Sequence, residues 1–359
     1  MGRPEGVTRR ALGRATLARQ LLLERSPLGP VAAIEALAGM QAQEPRPPFI
    51  GLWSRIRGFE PAQLRDALRT GAVLRAPLLR GTLHLVSAAD FRLLREACQP
   101  ALDLATRVLR DRVAGADLDA VCALARTALE ERPRTSAQMR ELMAERFPTS
   151  DARALAYLAR MHVPLALVPS EDEWGYPRDP SLALAAAGPG DTTTLVRRYL
   201  AAFGPASVAD AQEWSGVRGL TPAFETLGDE LVRLRDESGR ELFDLPDAPR
   251  PPQDTPSPVR LLPEFDNLVL GHADRGRFIA PEHRALLITK NLRVPATFLV
   301  DGEVAGTWSV TRRARSATLE LVPFARLAAG ARRELEQESV ALLAAIEPER
   351  AGEVRVTPR

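Results

Sequence analysis

Lysine, cysteine, tyrosine and histidine are all scarce in this 359-residue chain, which has 1, 2, 3 and 4 of them. Cys98 and Cys122 both fall in stretches with the apolar spacing of an amphipathic helix. Two such thiols cannot build a disulfide framework, and they fall short of the ligand set of a structural zinc. They are expected as reduced core thiols, and no metal is expected at the scattered histidines. No apolar run approaches the roughly 18 residues that a bilayer requires. The opening MGRPEGVTRR has charges with no apolar core behind them, so neither a spanning helix nor a signal peptide is expected. The expected location is the cytoplasm. Walker and dinucleotide glycine loops are missing, as are a Gly-x-Ser-x-Gly elbow and a His-Glu-x-x-His pair, which removes the commonest cofactor and hydrolase classes.

What is present is an ordinary globular composition, 45% hydrophobic and 26% charged, long enough for several domains. The net charge of +2 conceals an asymmetry. Residues 1–110 hold 17 Arg against 9 acidic residues, a balance of +8, which leaves −6 for the remainder. A compact unit with that excess attracts polyanions, although a solvated basic surface has the same composition.

Periodicity predicts a helix after Thr8, a second with Val31, Ile34, Leu37 and Ala38 on one face, and a third through PFIGLWSRIRG. A short helix ending at Gly71 follows, then the strands AVLRA and TLHLV around Pro77. Three helices followed by a hairpin is the winged-helix order. The order recurs from about residue 116, with SEDEWGYPRD as its wing, and again over 191–245. APRPPQDTPSP reads as an extended linker. Beyond it, Asp301-Gly302 between apolar runs signals a hairpin, and a long amphipathic helix occupies about 328–346. The expected fold is mainly α with β wings (α+β): winged helices over 1–112, 113–190 and 191–256, the last with the Pro-rich linker, then a C-terminal antiparallel-sheet and helix region over 257–359.

The feature of most chemical interest is Gln41-Ala42-Gln43, at the end of an apolar helix face and just before Pro45. In a continued helix the two amides point to opposite sides; in an extended chain they share one. Only the second geometry makes a site. Glutamine does not titrate usefully, so such a pair is no general acid or base, but its oxygens can hold a water in line with an electrophile. The alternative role is helix capping. His84 alternates with Thr82 on the expected exposed face of the second strand, and His272 and His283 flank a turn-rich stretch.

The stretches LARQLLLERS, LAGMQAQEPRPPFIGLWSRIRGFEP and LLRGTLHLVSAADF closely resemble the bacterial winged-helix DNA-binding family that includes the AlkZ and YcaQ type DNA glycosylases. YLAAFGPASVADAQEWSG, LLPEFDNLVLGHADR and DGEVAGTWSV are similar to it as well, so the resemblance runs over nearly the whole chain. In that family a Gln, an apolar residue, then Gln or Asp is the catalytic signature, which falls here on Gln41, Ala42 and Gln43. The resemblance implies a monofunctional glycosylase that needs no cofactor and acts as a monomer on alkylated, including bulky or cross-linked, double-stranded DNA near the nucleoid. A site of two amides without an acid suits a base that already carries positive charge, such as an N7-alkylated purine, because that base departs neutral. Arg75 and Arg80 are the expected phosphate contacts, with Arg46 and Arg55 beside the glutamines as further candidates. Trp174 is a candidate groove wedge or a core residue, while Trp214 and Trp308 are assigned to cores. Asp266 and Asp274 either reinforce the site, if the last region folds back on the first, or cap turns. The competing reading is a non-catalytic winged-helix regulator.

Overall fold

The computed structural model describes residues 6–113, 115–287 and 294–357. A two-residue strand, β1 (Gly6–Val7), precedes α1 (Arg9–Arg19), where the Thr8 hydroxyl accepts from the Ala11 N–H at 3.1 Å. The first run is α2 (Pro30–Ala36), β2 (Met40–Gln41), α3 (Pro47–Arg55), α4 (Pro61–Arg69), β3 (Val73–Pro77) and β4 (Leu83–Ser87). Helices α5 (Ala88–Leu94) and α6 (Gln99–Thr106) lead to the second run: α7 (Leu118–Glu131), α8 (Ser136–Arg146), α9 (Ala152–His162), β5 (Leu165–Leu167) and β6 (Leu182–Leu184). The third is α10 (Thr192–Phe203), α11 (Val208–Ser215), α12 (Thr221–Leu227), β7 (Val232–Asp236) and β8 (Glu241–Asp244). The terminal region holds β9 (Arg260–Leu262), α13 (Asn267–Leu270), α14 (Arg284–Leu287), β10 (Thr297–Val300), β11 (Glu303–Arg312), β12 (Ser316–Pro323), α15 (Ala329–Ile346) and β13 (Ala351–Val356). Fifteen α-helices and three sheets thus stand among the described residues, a mixed α and β architecture.

The hairpins of the first two runs merge. Their sheet has the order β2-β4-β3-β5-β6, joined at Arg75 opposite Leu167, which covers the edge each hairpin would otherwise expose. Cores lie on both faces of this sheet, Leu83 and Leu85 in one and Val86 in the other, so every residue of β4 is buried, and the expected alternation of buried and exposed positions there is corrected. The terminal sheet, β13-β12-β11-β10-β9, departs from the expected all-antiparallel form because β13 runs parallel to β12. The 18-residue crossover α15 is long enough to return the chain to the same end. The hairpin turn at Asp301 (φ 49°) and Gly302 (φ 80°) has both central residues left-handed, as the Asp-Gly signal predicts.

One core beneath the first two runs contains Ile34, Leu52, Leu64, Leu85, Met143 and Leu155. A second joins α5 to the third run through Phe91, Tyr199, Phe203 and Trp214. The terminal region packs on the first run twice, with Ile50 of α3 against Phe298 and Trp308, and with Leu17 and Leu22 against Leu262 and Leu268. Trp214 and Trp308 are both core residues. No helix among the described residues is long and apolar enough to cross a membrane.

Candidate active site

Glycine decides how the glutamine segment leaves α2. Ala38 (φ 54°) and Gly39 (φ 90°) reverse the chain, and a Cβ at Gly39 would stand 3.1 Å from the Leu85 carbonyl oxygen. The chain is then extended: Met40 lies opposite Leu85, Gln41 opposite His84, and the Ala42 N–H donates to Leu83 O at 2.7 Å. Strand alternation sends Met40 into the core and Gln41, half-buried, to the other face; β2 ends at Gln41, and after the buried Ala42 the exposed Gln43 follows at a bend. Because 42 and 83 form the hydrogen-bonded pair, Gln41 and His84 form the close, non-hydrogen-bonded one, with side chains on the same face.

Two arginines fix this segment. Arg75 donates from Nε to Ala42 O (2.8 Å) and from Nη2 to Gln43 O (2.9 Å), and stacks on Tyr176 at 4.9 Å. Arg80, itself in a left-handed conformation (φ 55°), donates from Nη2 to Gln41 Oε1 at 2.8 Å and from Nη1 to Trp214 O. Gln43 Oε1 lies 3.4 Å from the Leu83 N–H. Each amide oxygen retains a second lone pair for a water. Burial lowers the Arg80 guanidinium to about 10, which leaves it cationic at neutral pH.

His84 is fully buried, so its expected place on an exposed face is corrected: the core that contains Val86, Phe91 and Trp214 covers that face of the sheet. Its Nδ1 lies 3.1 Å from Thr82 O and therefore carries the proton, leaving Nε2 as an acceptor without a partner among the described residues. Burial, followed by the Arg80 charge, lowers its pKa to about 3. Burial lowers His272 to about 3 as well. Both pKa values lie below the ordinary 6.5, so the stability that depends on neutral imidazole is complete above about pH 6.5 and is lost as pH falls toward 3. Between pH 6.5 and 4.5 the protonation of each histidine in the unfolded chain alone is expected to lower stability. Denaturant titrations at the two pH values check this, with His84→Gln losing its share of the difference.

The terminal region supplies the other wall. A cavity of about 10 Å³, the size of one water, lies among Met40, Gln41, Pro47 and the loop Pro263 to Asn267. Asn267 Nδ2 donates to Gly39 O, and the Asp266 carboxylate takes both Arg55 guanidinium nitrogens at 2.9 and 2.8 Å. The same carboxylate caps α13 by accepting from the Leu268 N–H at 3.0 Å. Asp266 therefore caps a turn, as one of its two expected roles has it, and the last region folds back on the first through its ion pair with Arg55. The sequence reading missed three neighbours in LLPEFDN: exposed Glu264 at the cavity rim, Phe265 in a left-handed conformation (φ 60°), and Asn267. Only their adjacency to Asp266 signalled them.

Comparison with known proteins bears on this arrangement. The model of the family described as DNA glycosylase AlkZ-like matches residues 34–345. The chain belongs to the AlkZ-like DNA glycosylase family. Its fold is similar to that of Streptomyces sahachiroi DNA glycosylase AlkZ, with a TM-score of 0.78 and 21% identity over 98% of this chain and 100% of that one. A curated relative, the interstrand DNA cross-link repair glycosylase of Streptomyces sahachiroi, is 28% identical over 146 residues. That match spans 38% of this chain and about a third, 37%, of the relative.

In this AlkZ-like chain the other expected contacts scatter. Arg55 is buried in its ion pair, and Arg75 is buried holding backbone carbonyls, so both are corrected from phosphate contacts to supports of the glutamine segment. Arg80 serves Gln41 in the same way. Arg46 pairs with the buried Glu347 at 3.1 Å, and that carboxylate also takes Arg312 and Arg350. Trp174 is half-buried, edge-on to Phe49 at 5.2 Å and flanked by Arg46 and Arg312 at 5.6 and 5.8 Å, so it is packed rather than projecting as a wedge. Asp274 lies in a separate cleft with Arg240 and Arg284, capping a turn at Gly276. The AlkZ-like chain instead exposes Arg312, Arg313 and Arg315 where β11 turns into β12, a basic tip that Arg312 and Glu347 tie to Arg46.

Proposed function

We propose that this protein is a DNA glycosylase that hydrolyses the N-glycosidic bond of cationic N7-alkylated purines in double-stranded DNA, with Gln41 and Gln43 placing the attacking water. The observation that carries the reading is that the segment leaves α2 as a strand, so that the Gln41 amide lines a water-sized cavity with Gln43 two residues further on. The water oxygen bonds to C1′ of the deoxyribose, the C1′–N9 bond breaks, and its electron pair neutralises the N7 cation. The water's proton passes to solvent, so the amides need only position and polarise. A neutral His84 suits this chemistry, since an imidazolium at that place would repel both the cationic base and the oxocarbenium-like sugar. Water is the only co-reactant, so no cofactor is called for. The description of the curated relative as a cross-link repair glycosylase supports including bulky and cross-linked purines. We assign the protein to the cytoplasm beside the nucleoid, acting as a monomer on three winged-helix modules.

Incubation with duplex oligonucleotides carrying N7-methylguanine, followed by alkaline cleavage, is expected to reveal abasic sites. Wild-type protein inert on every N7-alkylated duplex hands the case to a non-catalytic DNA-binding role. Binding to undamaged duplex is expected to weaken with salt as phosphate contacts release counterions. Arg313→Ala and Arg315→Ala should each reduce the slope of log K against log salt by about one unit, while Arg75→Ala, whose guanidinium faces carbonyls, leaves it alone. A slope that responds to Arg75 instead refutes the assignment.

A further inference from the structure

A group of charges in the second run is used neither by the fold nor by the glutamine site. Between α8 and α9 lies a cleft of about 200 Å³, lined by Ser136, Arg140, Arg153, Tyr157 and Arg160 and floored by Leu182 of β6. No carboxylate lines it. Asp151, which caps α9, is engaged by Arg112, and Glu131 by Arg134. Among the described residues none of the three guanidinium groups in the cleft has a hydrogen-bond or ion-pair partner. Arg140 and Arg153 are exposed to solvent, whereas Arg160 is half-buried, with its Nε sealed from solvent and lacking an acceptor among the described residues. Burial pushes its guanidinium below the ordinary value, and the Tyr157 hydroxyl alone opposes this.

An arginine does not shed its proton to escape such a place, and a guanidinium donor sealed from solvent without an acceptor is costly to a fold. An anion in the cleft relieves that cost. The surroundings fit several oxygens arriving together: guanidinium donors from two helices, the Ser136 and Tyr157 hydroxyls, and the first turn of the 11-residue α8, whose end carries partial positive charge. A tetrahedral phosphate presents oxygens to several sides at once, where a carboxylate presents two in one plane. The cleft also has a fixed relation to the glutamines, because β2 and β6 are the two edges of one sheet. Four strand spacings separate them by about 19 Å. Along one DNA strand that is about five to six nucleotides.

We propose that the cleft between α8 and α9 is a phosphate-binding site, filled by a phosphodiester of the DNA arm flanking the reacting nucleotide. Its assignment to DNA rests on the glycosylase reading above; its affinity for phosphate does not. The first measurement is thermal unfolding of the full chain in inorganic phosphate against chloride at matched ionic strength. Phosphate is expected to raise the wild-type Tm by about 2–4 °C and to leave Arg160→Gln unmoved. A rise shared by Arg160→Gln is general salting and overturns the site; no rise overturns it as well. The second measurement uses undamaged duplex and the exposed variants Arg140→Ala and Arg153→Ala, which keep the buried charge and the fold. Each is expected to lower the salt slope by about one unit. Phosphate stabilisation with unchanged slopes means that the cleft takes free phosphate or a nucleotide and overturns the backbone assignment. Neither readout depends on base release, so a wild-type protein that meets both and releases no base sinks the glycosylase reading while the phosphate site stands.

Discussion

Replacing Gln41 or Gln43 by Ala is expected to slow the release of N7-alkylguanine by roughly 10²-fold or more while leaving affinity for undamaged duplex nearly intact. The expectation follows from what the amides contact. Gln41 Oε1 is held by Arg80 on the face of the sheet that also carries His84, and Gln43 Oε1 lies near the Leu83 N–H of the same strand. A contact that orients the attacking water is stronger in the transition state than in the ground state, so its loss falls on the rate rather than on binding. The double mutant should be little worse than either single one, since two residues acting on one water do not add. Gln43→Asp should retain activity, because members of the resembling family carry a carboxylate there. Removing Gln41 also strips a hydrogen bond from the charged Arg80, worth about 1.5–3 kcal/mol, so rates must be normalised to folded protein. Loss of stability without loss of normalised rate would assign the glutamines to structure alone.

The period-based reading found elements whose stabilising contacts are local. Thr8 caps α1 where a helix start was expected, and the Asp301-Gly302 turn forms where expected. The reading failed where a partner distant in sequence decides the outcome. His84 alternates correctly along its strand, yet the core around Phe91, Tyr199 and Trp214 covers the face expected to be open, and β2 and β3 cover both edges. Nothing local signals that a two-residue strand 43 residues upstream will pair there.

The arginines show the same limit. Arg55 and Arg75 lie among the residues that carry the +8 excess, and composition could not tell a phosphate ligand from a guanidinium that donates inward. Asp266 comes 211 residues after Arg55, and the carbonyls of Ala42 and Gln43 come 33 and 32 residues before Arg75. The glutamine pair was legible because its geometry depended on a choice the local sequence could bias, Gly39 to end the helix and Pro45 to keep the chain extended.

The largest stability effect is expected at the ion pair behind the site. Arg55 and Asp266 are both buried, with side chains 1% and 2% exposed, and they join in a two-pronged contact between α3 and the loop that walls the glutamine cavity. Arg55 gives its remaining donors to Gln20 O and Gly51 O, at 3.0 and 3.1 Å. Asp266→Ala therefore leaves a guanidinium charge in the interior with only carbonyls around it, and also uncaps α13. Breaking a buried pair from one side costs about 3–5 kcal/mol, whereas replacing both partners by apolar side chains of similar volume is often close to neutral. Urea denaturation should accordingly show Asp266→Ala far below wild type, with the Arg55→Met, Asp266→Leu double variant recovering most of the loss. Base release should recover only in part, because in the double variant the hydrogen bond from Asn267 Nδ2 to Gly39 O is left alone to fix the Glu264 to Asn267 loop beside Gln41. A double variant restored in both stability and rate would show that the pair serves only to hold the two regions together; one restored in neither would show that the site's architecture, and not the uncompensated charge, is what the pair maintains.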